Sequence, residues 1–430
     1  MTVPAGSSID WTERRTILGR EILVWQANLY ALLIVVFVAF VGFSFASPFI
    51  PILVRDVGVA DPAGAAIWSG IILATGPIGA VLTGPFWGRV ADKVGGRITL
   101  SRTVFGFGVL TAVMAFSTDV WQLALLRFGM GSLGGFTTVA AAMASMSSPP
   151  DRTTRSIALI QSAQIVSLMV GPALGGIMAD HLGIRAAFLG SAGLAAFAFV
   201  TMLILYRDPV GFRKQHQRGA GAGPQPGFWS ILKTPFFLPL LLVLFAGNFT
   251  DRSFQPLVPL FVPTLGDVSI QSVASTSGFI VAAGALAAVV SANAAGRLVQ
   301  RFTHAQLLFF SQILAAVGCA LIAVCQSAWQ FGLLRAEVGL FGGGVLTLAY
   351  GLGGALIPIE RRASAFGVLA TGAMVGAALS PLAAGLIAAF DLRAAFLLNA
   401  AIFLIGAAIV WLGLGFGPIR TAETAGGAGP

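Results

Sequence analysis

The sequence predicts an all-α membrane protein with twelve transmembrane helices in two pseudo-symmetric six-helix bundles. Three observations predict it. First, the 430 residues are 57% hydrophobic and only 10% charged, with a mean hydropathy of +0.90. A soluble domain carries roughly 25% charged residues, so this chain lacks the polar surface to cover itself in water. Second, the apolar residues form twelve continuous stretches, and a helix needs about 20 such residues to cross hydrocarbon. The alternating pattern of a membrane β-barrel is absent. Third, the last six stretches repeat the first six at an offset of 208 residues. A duplicated membrane domain is an architecture in which two bundles rock about a central site.

The repeat orders the elements. Residues 1–28 are polar and mixed in charge, without the pattern of a cleaved signal. There, Ser8 or Asp10 with Glu13 is placed to cap a short amphipathic helix on the membrane surface. Helix 1 is expected over 29–54, with Pro48 and Pro51 answered by Pro256 and Pro259. Helix 2 (66–88) carries Ser69, Gly70 and Gly76, answered by Ser277, Gly278 and Gly284. Helix 3 (100–118) follows a basic turn, and helix 4 (121–146) opens on Trp121-Gln122. The run from Trp121 through Arg127 to Gly134-Gly135 returns as Trp329 through Arg335 to Gly342-Gly343. Helix 5 (156–180) carries a Gly-Pro pair, and helix 6 (186–206) opens on Arg185–Leu189, repeated as Arg393–Leu397. A basic, then Gly/Pro-rich linker is expected over 207–234. Helices 7 to 12 follow at 235–262, 273–297, 305–326, 329–356, 364–389 and 394–415. The organisation is therefore an N-terminal segment (1–28), a first bundle (29–206), the linker (207–234), a second bundle (235–415) and a tail (416–430).

Small residues crowd helices 4 and 10, where they let helix backbones approach in lipid. Simple packing and sliding during a conformational cycle both fit them. The run Gly129-Met130-Gly131-Ser132-Leu133-Gly134 also matches the dinucleotide pattern GxGxxG. It lies inside an apolar span with no preceding strand, so that match is accidental.

The net charge of +9 bears on orientation rather than on nucleic acid. With twelve crossings, nineteen Lys and Arg fall on the side of the termini and linker, and three (Arg55, Arg185, Arg393) on the other. The remaining three, Arg127, Arg252 and Arg335, lie within spans. This puts both termini in the cytoplasm. Cys319 and Cys325, six apart in one expected helix, form neither a disulfide framework nor a metal site. No cofactor is called for, and the absence of a P-loop removes ATP as a direct energy source.

The turn Gly88-Arg89-Val90-Ala91-Asp92-Lys93-Val94-Gly95-Gly96-Arg97 joins helices 2 and 3. It resembles the loop signature G-x-[LV]-A-D-[RK]-x-G-[RK]-[RK] of the major facilitator superfamily, with one extra glycine. Asp92 there can accept bonds from arginines or sit at a helix N-terminus. The resemblance implies a conformational latch built from Gly88, Asp92, Lys93, Gly96 and Arg97; a charged loop that only enforces topology is the plainer reading. Gln300 replaces the aspartate in the second half, so such a latch is one-sided. Helix 4 carries Arg127 with Gly131, similar to the family's R-x-x-x-G element, at about 9 Å below Trp121 by helical rise. Helix 5 carries Gly171-Pro172-Ala173-Leu174-Gly175-Gly176, resembling the G-P-x-x-G-G core that marks drug:proton antiporters. Ser167 and Ala158 stand where the full signature has glycine, and the repeat keeps Pro381 and Gly385 shifted by one residue. The proline kinks the helix and the glycines admit a neighbour.

Two acids fall deep in spans: Asp251 in helix 7 and Glu337 in helix 10. The offset maps them onto Phe43 and Gly129, so neither has a counterpart in the first half. A charged acid at mid-membrane costs about 2.5–3.5 kcal/mol on insertion scales, which makes both proton-coupling candidates. Arg127, Arg252 and Arg335 are the intramembrane charge partners available to them. Permanent neutralisation of each acid by an arginine is the alternative. Aromatic and amide residues offer a surface for apolar or weakly cationic cargo: Phe43, Phe45, Phe49, Gln161, Gln164, Asn248, Phe254, Gln255 and Tyr350.

Together these features lead to an expectation of proton-coupled efflux of small lipophilic or cationic compounds across a bacterial inner membrane. The expected partners are substrate, protons and lipid, with no nucleic acid, and the chain is expected to be a monomer. An importer or facilitator of a small metabolite on the same fold is the first alternative. A membrane-embedded enzyme or sensor is the second; it lacks an active-site cluster, since the three histidines (His181, His216, His304) all lie near loops.

Overall fold

A computed structural model describes residues 14–17, 20–149, 151–207, 236–356 and 362–414. A short hairpin comes first: β1 (Arg14–Ile17) pairs antiparallel with β2 (Arg20–Leu23). This corrects the amphipathic helix expected near the N-terminus; Thr16 and the β-branched Ile17 and Ile22 favour extended backbone. Ser8, Asp10 and Glu13, like the linker over 208–235 and the tail from 415, lie outside the described residues.

Twelve helical rods follow among the described residues. The first bundle holds α1 (Val24–Ala46, continued by Ser47–Phe49 and Ile50–Asp56), α2 (Pro62–Val94) and α3 (Gly96–Met114). It is completed by α4 (Val120–Ser132 and Phe136–Met146), α5 (Thr153–Leu182) and α6 (Ile184–Leu205). The second holds α7 (Phe237–Phe261), α8 (Val273–Leu298), α9 (His304–Ile322), α10 (Ala328–Gly342 and Gly344–Leu356), α11 (Arg362–Phe390) and α12 (Leu392–Gly413). Nine described helical segments are long and apolar enough to cross a bilayer on those grounds alone. The other three rods are α3, α4 and α7. Arg97 and Arg102 lower the hydropathy of α3, Asp251 and Arg252 that of α7, and α4 is broken.

That break corrects the continuous helix expected over 121–146. Gly134 and Gly135 have φ of 38° and 82°, a region open to glycine and costly for other residues. The equivalent interruption in α10, at Gly343, keeps a helical φ of −63°, so the second copy lacks the left-handed backbone of the first. Cys325 also falls beyond the end of α9 rather than inside it; both cysteines are buried and free.

The contacts carry the same duplication as the sequence. α1 packs on α5 and α6, α2 on α4, and α3 on α6; likewise α7 packs on α11 and α12, α8 on α10, and α9 on α12. Individual bonds recur as well. Arg185 Nη1 donates to Ala115 O at 3.2 Å and Arg393 Nη1 to Ala323 O at 3.0 Å. The amide of Thr118 donates to Gln122 Oε1, and that of Gln326 to Gln330 Oε1, both at 3.0 Å.

The bundles meet along two seams, α2 against α11 and α5 against α8. On the first, a Cβ added to Gly70 would overlap the Pro381 carbonyl, and one on Gly385 would lie 2.5 Å from Ala66 O. On the second, a Cβ on Gly278 would overlap the Pro172 carbonyl, and one on Gly176 the Ala274 carbonyl. Gly70 and Gly278 are repeat mates, and Pro172 and Pro381 are mates with a one-residue slip. The two seams are thus the same joint used twice, as a two-fold relation requires. All these approaches lie in the halves of the helices at the far end of the bundles from Val24 and Gly413, the distal end.

Candidate functional site

The site is built on two equivalent arginines. α4 carries Arg127 and α10 carries Arg335, with 7% and 6% of their surface exposed. Each extends past a glycine of the neighbouring helix. A Cβ on Gly76 of α2 would lie 3.6 Å from Arg127 Nε, and one on Gly284 of α8 would lie 2.5 Å from the Arg335 guanidinium carbon. One turn further on, Gly131 and Gly339 press against the carbonyls of those same glycines. The Arg-x-x-x-Gly spacing thus puts a cation and a close backbone contact on one face of the helix.

The arginines differ in what they meet. Arg127 Nη2 donates to Ser47 Oγ at 2.8 Å, and its guanidinium carbon lies 5.2 Å from the Phe43 ring centroid. Arg335 Nη2 donates to Asp251 Oδ1 at 3.4 Å, and its guanidinium carbon lies 4.4 Å from the Phe254 ring centroid. Phe43 and Asp251 occupy the same repeat position. The first arginine is held by a hydroxyl and an aromatic face, the second by a carboxylate and an aromatic face. Ser47 escaped sequence reasoning, because a lone hydroxyl in an apolar helix carries no signal of a partner 80 residues away.

Burial within the pair is uneven. The Arg335 side chain is 7% exposed, while that of Asp251 is 61% exposed. Its carboxylate therefore stands open on the side away from the arginine. The Nε atoms of both Arg335 and Arg252 are buried without a hydrogen-bond partner. Arg252 stands near enough to Arg127 for their charges to interact, and among the described residues neither is paired with a carboxylate.

Glu337 is arranged differently. Its Oε2 is buried without a hydrogen-bond partner and fills the space a Cβ on Gly318 of α9 would take. Since α9 packs on α10 and α12, Glu337 points into the second bundle and not across the seams. Asp251 and Glu337 are therefore not brought together.

The cargo-surface expectation divides. Phe45, Phe49 and Phe254 are 6%, 0% and 2% exposed and belong to the packed core in this conformation, which corrects their reading as open surface. Phe49 lies in the short turn Ser47–Phe49 that continues α1 and packs in one apolar cluster with Phe45, Ala179 and Ala274. Phe43, Asn248, Gln255 and Tyr350 are half-buried and Gln161 is exposed. Gln164 is buried with its Nε2 unpaired. Asn248 spends its amide on Leu244 O at 3.3 Å, and Tyr350 packs edge-on to Phe366. A small cavity inside the first bundle is lined by Phe43, Ser47, Phe107, Thr111, Arg127 and Phe188, among others.

The helix 5 motif faces two ways. Gly171 lies against Ser44 and Gly175 against the Phe45 carbonyl, both on α1. Gly176 and the Pro172 carbonyl face α8 across the seam. At the opposite end of the bundle, Gly95 turns the α2–α3 junction with φ of 90°. Gly96 rests on Met143, and Arg97 Nη2 donates to Leu203 O at 2.9 Å, so both bind within the first bundle. Lys93 is exposed. The side chain of Asp92 and the surroundings of Gly88 lie outside the described residues.

Comparison with known proteins fits this geometry. The sequence profile of the Major Facilitator Superfamily matches residues 32–275 and, overlapping it, 266–428. Multidrug resistance protein MdtG of Escherichia fergusonii is 27% identical over 400 residues, spanning 90% of this chain and 94% of that protein. MdtG of Serratia proteamaculans is 28% identical over 418 residues, spanning 94% and 97%. A crystal structure of a bacterial homolog of the human lysosomal transporter Spinster, inward-facing and unoccupied, shares the fold with a TM-score of 0.74. It covers 91% of this chain and 98% of its own at 16% identity.

Proposed function

The chain belongs to the major facilitator superfamily of membrane transporters, and on that premise we propose that it exports small lipophilic or cationic compounds from a bacterial cytoplasm in exchange for protons. It is a transporter and not an enzyme. The relatives named for multidrug resistance support the cargo class. The excess of Lys and Arg on the side of the termini supports an inner-membrane protein with both chain ends in the cytoplasm. On that orientation the distal end, where the bundles touch, is the outer face, and the molecule stands closed to the outside. The protein works as a monomer in this reading, since each bundle supplies the other's partner surface.

One observation carries the coupling. At repeat position 43/251 the first half has Phe43 and the second has Asp251, and there an open carboxylate meets a buried arginine. A proton arriving at Asp251 frees Arg335 from its partner. A cation arriving there competes with both. Protonation and cargo binding thus draw on one carboxylate, which is the requirement for exchange. Glu337 is the second candidate, acting within the second bundle, because its unpaired Oε2 is easiest to bury with a proton on it. In this reading the half-buried Asn248 and Gln255, three residues before and four after Asp251 on α7, supply the cargo surface on its face of the helix, with Phe43 beside Arg127 and the exposed Gln161 of α5 adding to it.

Reconstitution in liposomes tests this. With an imposed pH gradient, a panel of lipophilic cationic dyes and an internal pH reporter, dye movement and counter-movement of protons are expected together. Asp251→Asn should abolish the exchange, and Glu337→Gln should weaken it. Dye flux indifferent to the gradient would leave a facilitator instead. Unaltered gradient-driven flux in both variants would remove these acids from the mechanism.

A further inference from the structure

We propose that Asp180, at the distal end of α5, is a positioning residue of the transport cycle: it caps α8 across the bundle interface and must release it for the outer mouth to open. The proposal rests on the transporter reading only for the meaning of outer. Its Oδ1 accepts from the Ala274 amide at 3.0 Å and its Oδ2 from the Ser275 amide at 2.6 Å. These are first-turn amides of α8, which have no partner within their own helix. The residue at the N-cap position, Ser272, makes no side-chain cap bond. A carboxylate at a helix N-terminus also gains from the helix dipole. The bond therefore joins a charge in the first bundle to a helix end in the second.

The internal repeat shows why this contact depends on the state of the transporter. The mate of α8 is α2, and α2 has its own cap: Asp61, directly before it, accepts from the Gly64 amide at 2.6 Å. That cap is local and survives any movement of the bundles. In α8 the equivalent service comes from the opposite bundle. The mate of Asp180 is Ala388, or Ala389 with the one-residue slip, so α11 offers α2 no such group. Of two otherwise equal joints, one is sealed among the described residues by backbone packing alone and the other by packing plus a carboxylate. Within one turn of Asp180, Gly176 lies against the Ala274 carbonyl. Any parting of α5 from α8 breaks both bonds, because an aspartate side chain is too short to follow.

The test reads conformation and needs neither cargo nor a proton gradient, so its failure is distinct from failure of the efflux reading. Spin labels are placed on cysteines replacing Ala60 and Gln271, exposed at the distal end of the two bundles, in full-length protein carrying Cys319→Ala and Cys325→Ala. The label–label distance distribution then reports the outer mouth. Asp180→Ala is expected to raise the ratio of open to closed about tenfold, the scale of losing a helix cap, and Asp180→Asn somewhat less. Asp61→Ala should leave the ratio unchanged. The deciding variant adds Ser272→Asp to Asp180→Ala, giving α8 a local cap. It should restore thermal stability while leaving the mouth biased open. An unchanged ratio in both Asp180 variants overturns the proposal. So does full return of the parental ratio with Ser272→Asp, which would make Asp180 a helix cap and nothing more. Should Asp180→Ala not fold, Asp180→Asn and its Ser272→Asp combination decide in the same way.

Discussion

The Asp251–Arg335 pair has one open partner and one enclosed one, and this decides which of them the fold can spare. Arg335 is 7% exposed and Asp251 61% exposed at the side chain. Removing the carboxylate strands a buried guanidinium, whereas removing the arginine leaves an acid that is not enclosed by the protein. Asp251→Ala should therefore lower the unfolding free energy by about 2–3 kcal/mol, and Arg335→Leu by under about 1 kcal/mol. Thermal unfolding in detergent checks the order, and the double variant should be close to Arg335→Leu alone. The reverse order would mean that the pair is buried as a unit. The sequence marks Asp251 and Glu337 as exceptional because each breaks the repeat. Which way each one points is hidden, since a helix with apolar residues all round shows no face. Asp180 gave even less signal. It ends a span, where an acid is ordinary, and its partners lie 94 and 95 residues away.

Among elements, the glycines separate into those a neighbour presses on and those it does not. A Cβ on Gly131 or Gly339 would overlap the carbonyl of Gly76 or Gly284. Gly193 in α6 has nothing within 4 Å of the same point. Gly131→Ala and Gly339→Ala should each destabilise by about 1–3 kcal/mol as α2 or α8 is pushed away. Gly193→Ala should be neutral or stabilising by up to about 1 kcal/mol, the helix propensity gained. Melting temperatures of the three variants provide the check, and equal effects would mean that the seats of Gly131 and Gly339 yield freely. The twelve rods were legible because crossing a bilayer demands long apolar runs. The break in α4 was not. Gly134-Gly135 serves close packing and left-handed backbone equally well, and only the backbone angles distinguish them. The N-terminal hairpin was missed for a related reason: capping residues signal a helix start but do not compel one.

For the whole molecule, duplication supplies nearly all the mechanics: equal packing, equal backbone clasps at Arg185 and Arg393, and equal seams. The copies diverge in charge. The second half sets a carboxylate against its arginine, while the first leaves Arg127, with Arg252 nearby, without one among the described residues. Uncompensated cations in a low-dielectric interior feel the electrical potential across the membrane. A unit charge carried across the full potential exchanges about 2.3 kcal/mol per 100 mV, and a partial displacement exchanges a proportionate share. If the bundles carry these guanidiniums through part of that field as they rock, a voltage step on cargo-free protein should evoke a brief displacement current. Its loss in an Arg127→Gln, Arg252→Gln variant would assign it to them, and no current in the parent protein would mean that both charges stay still in the field. With that current present, the transporter answers to voltage through its own scaffold, before any ion or drug has bound.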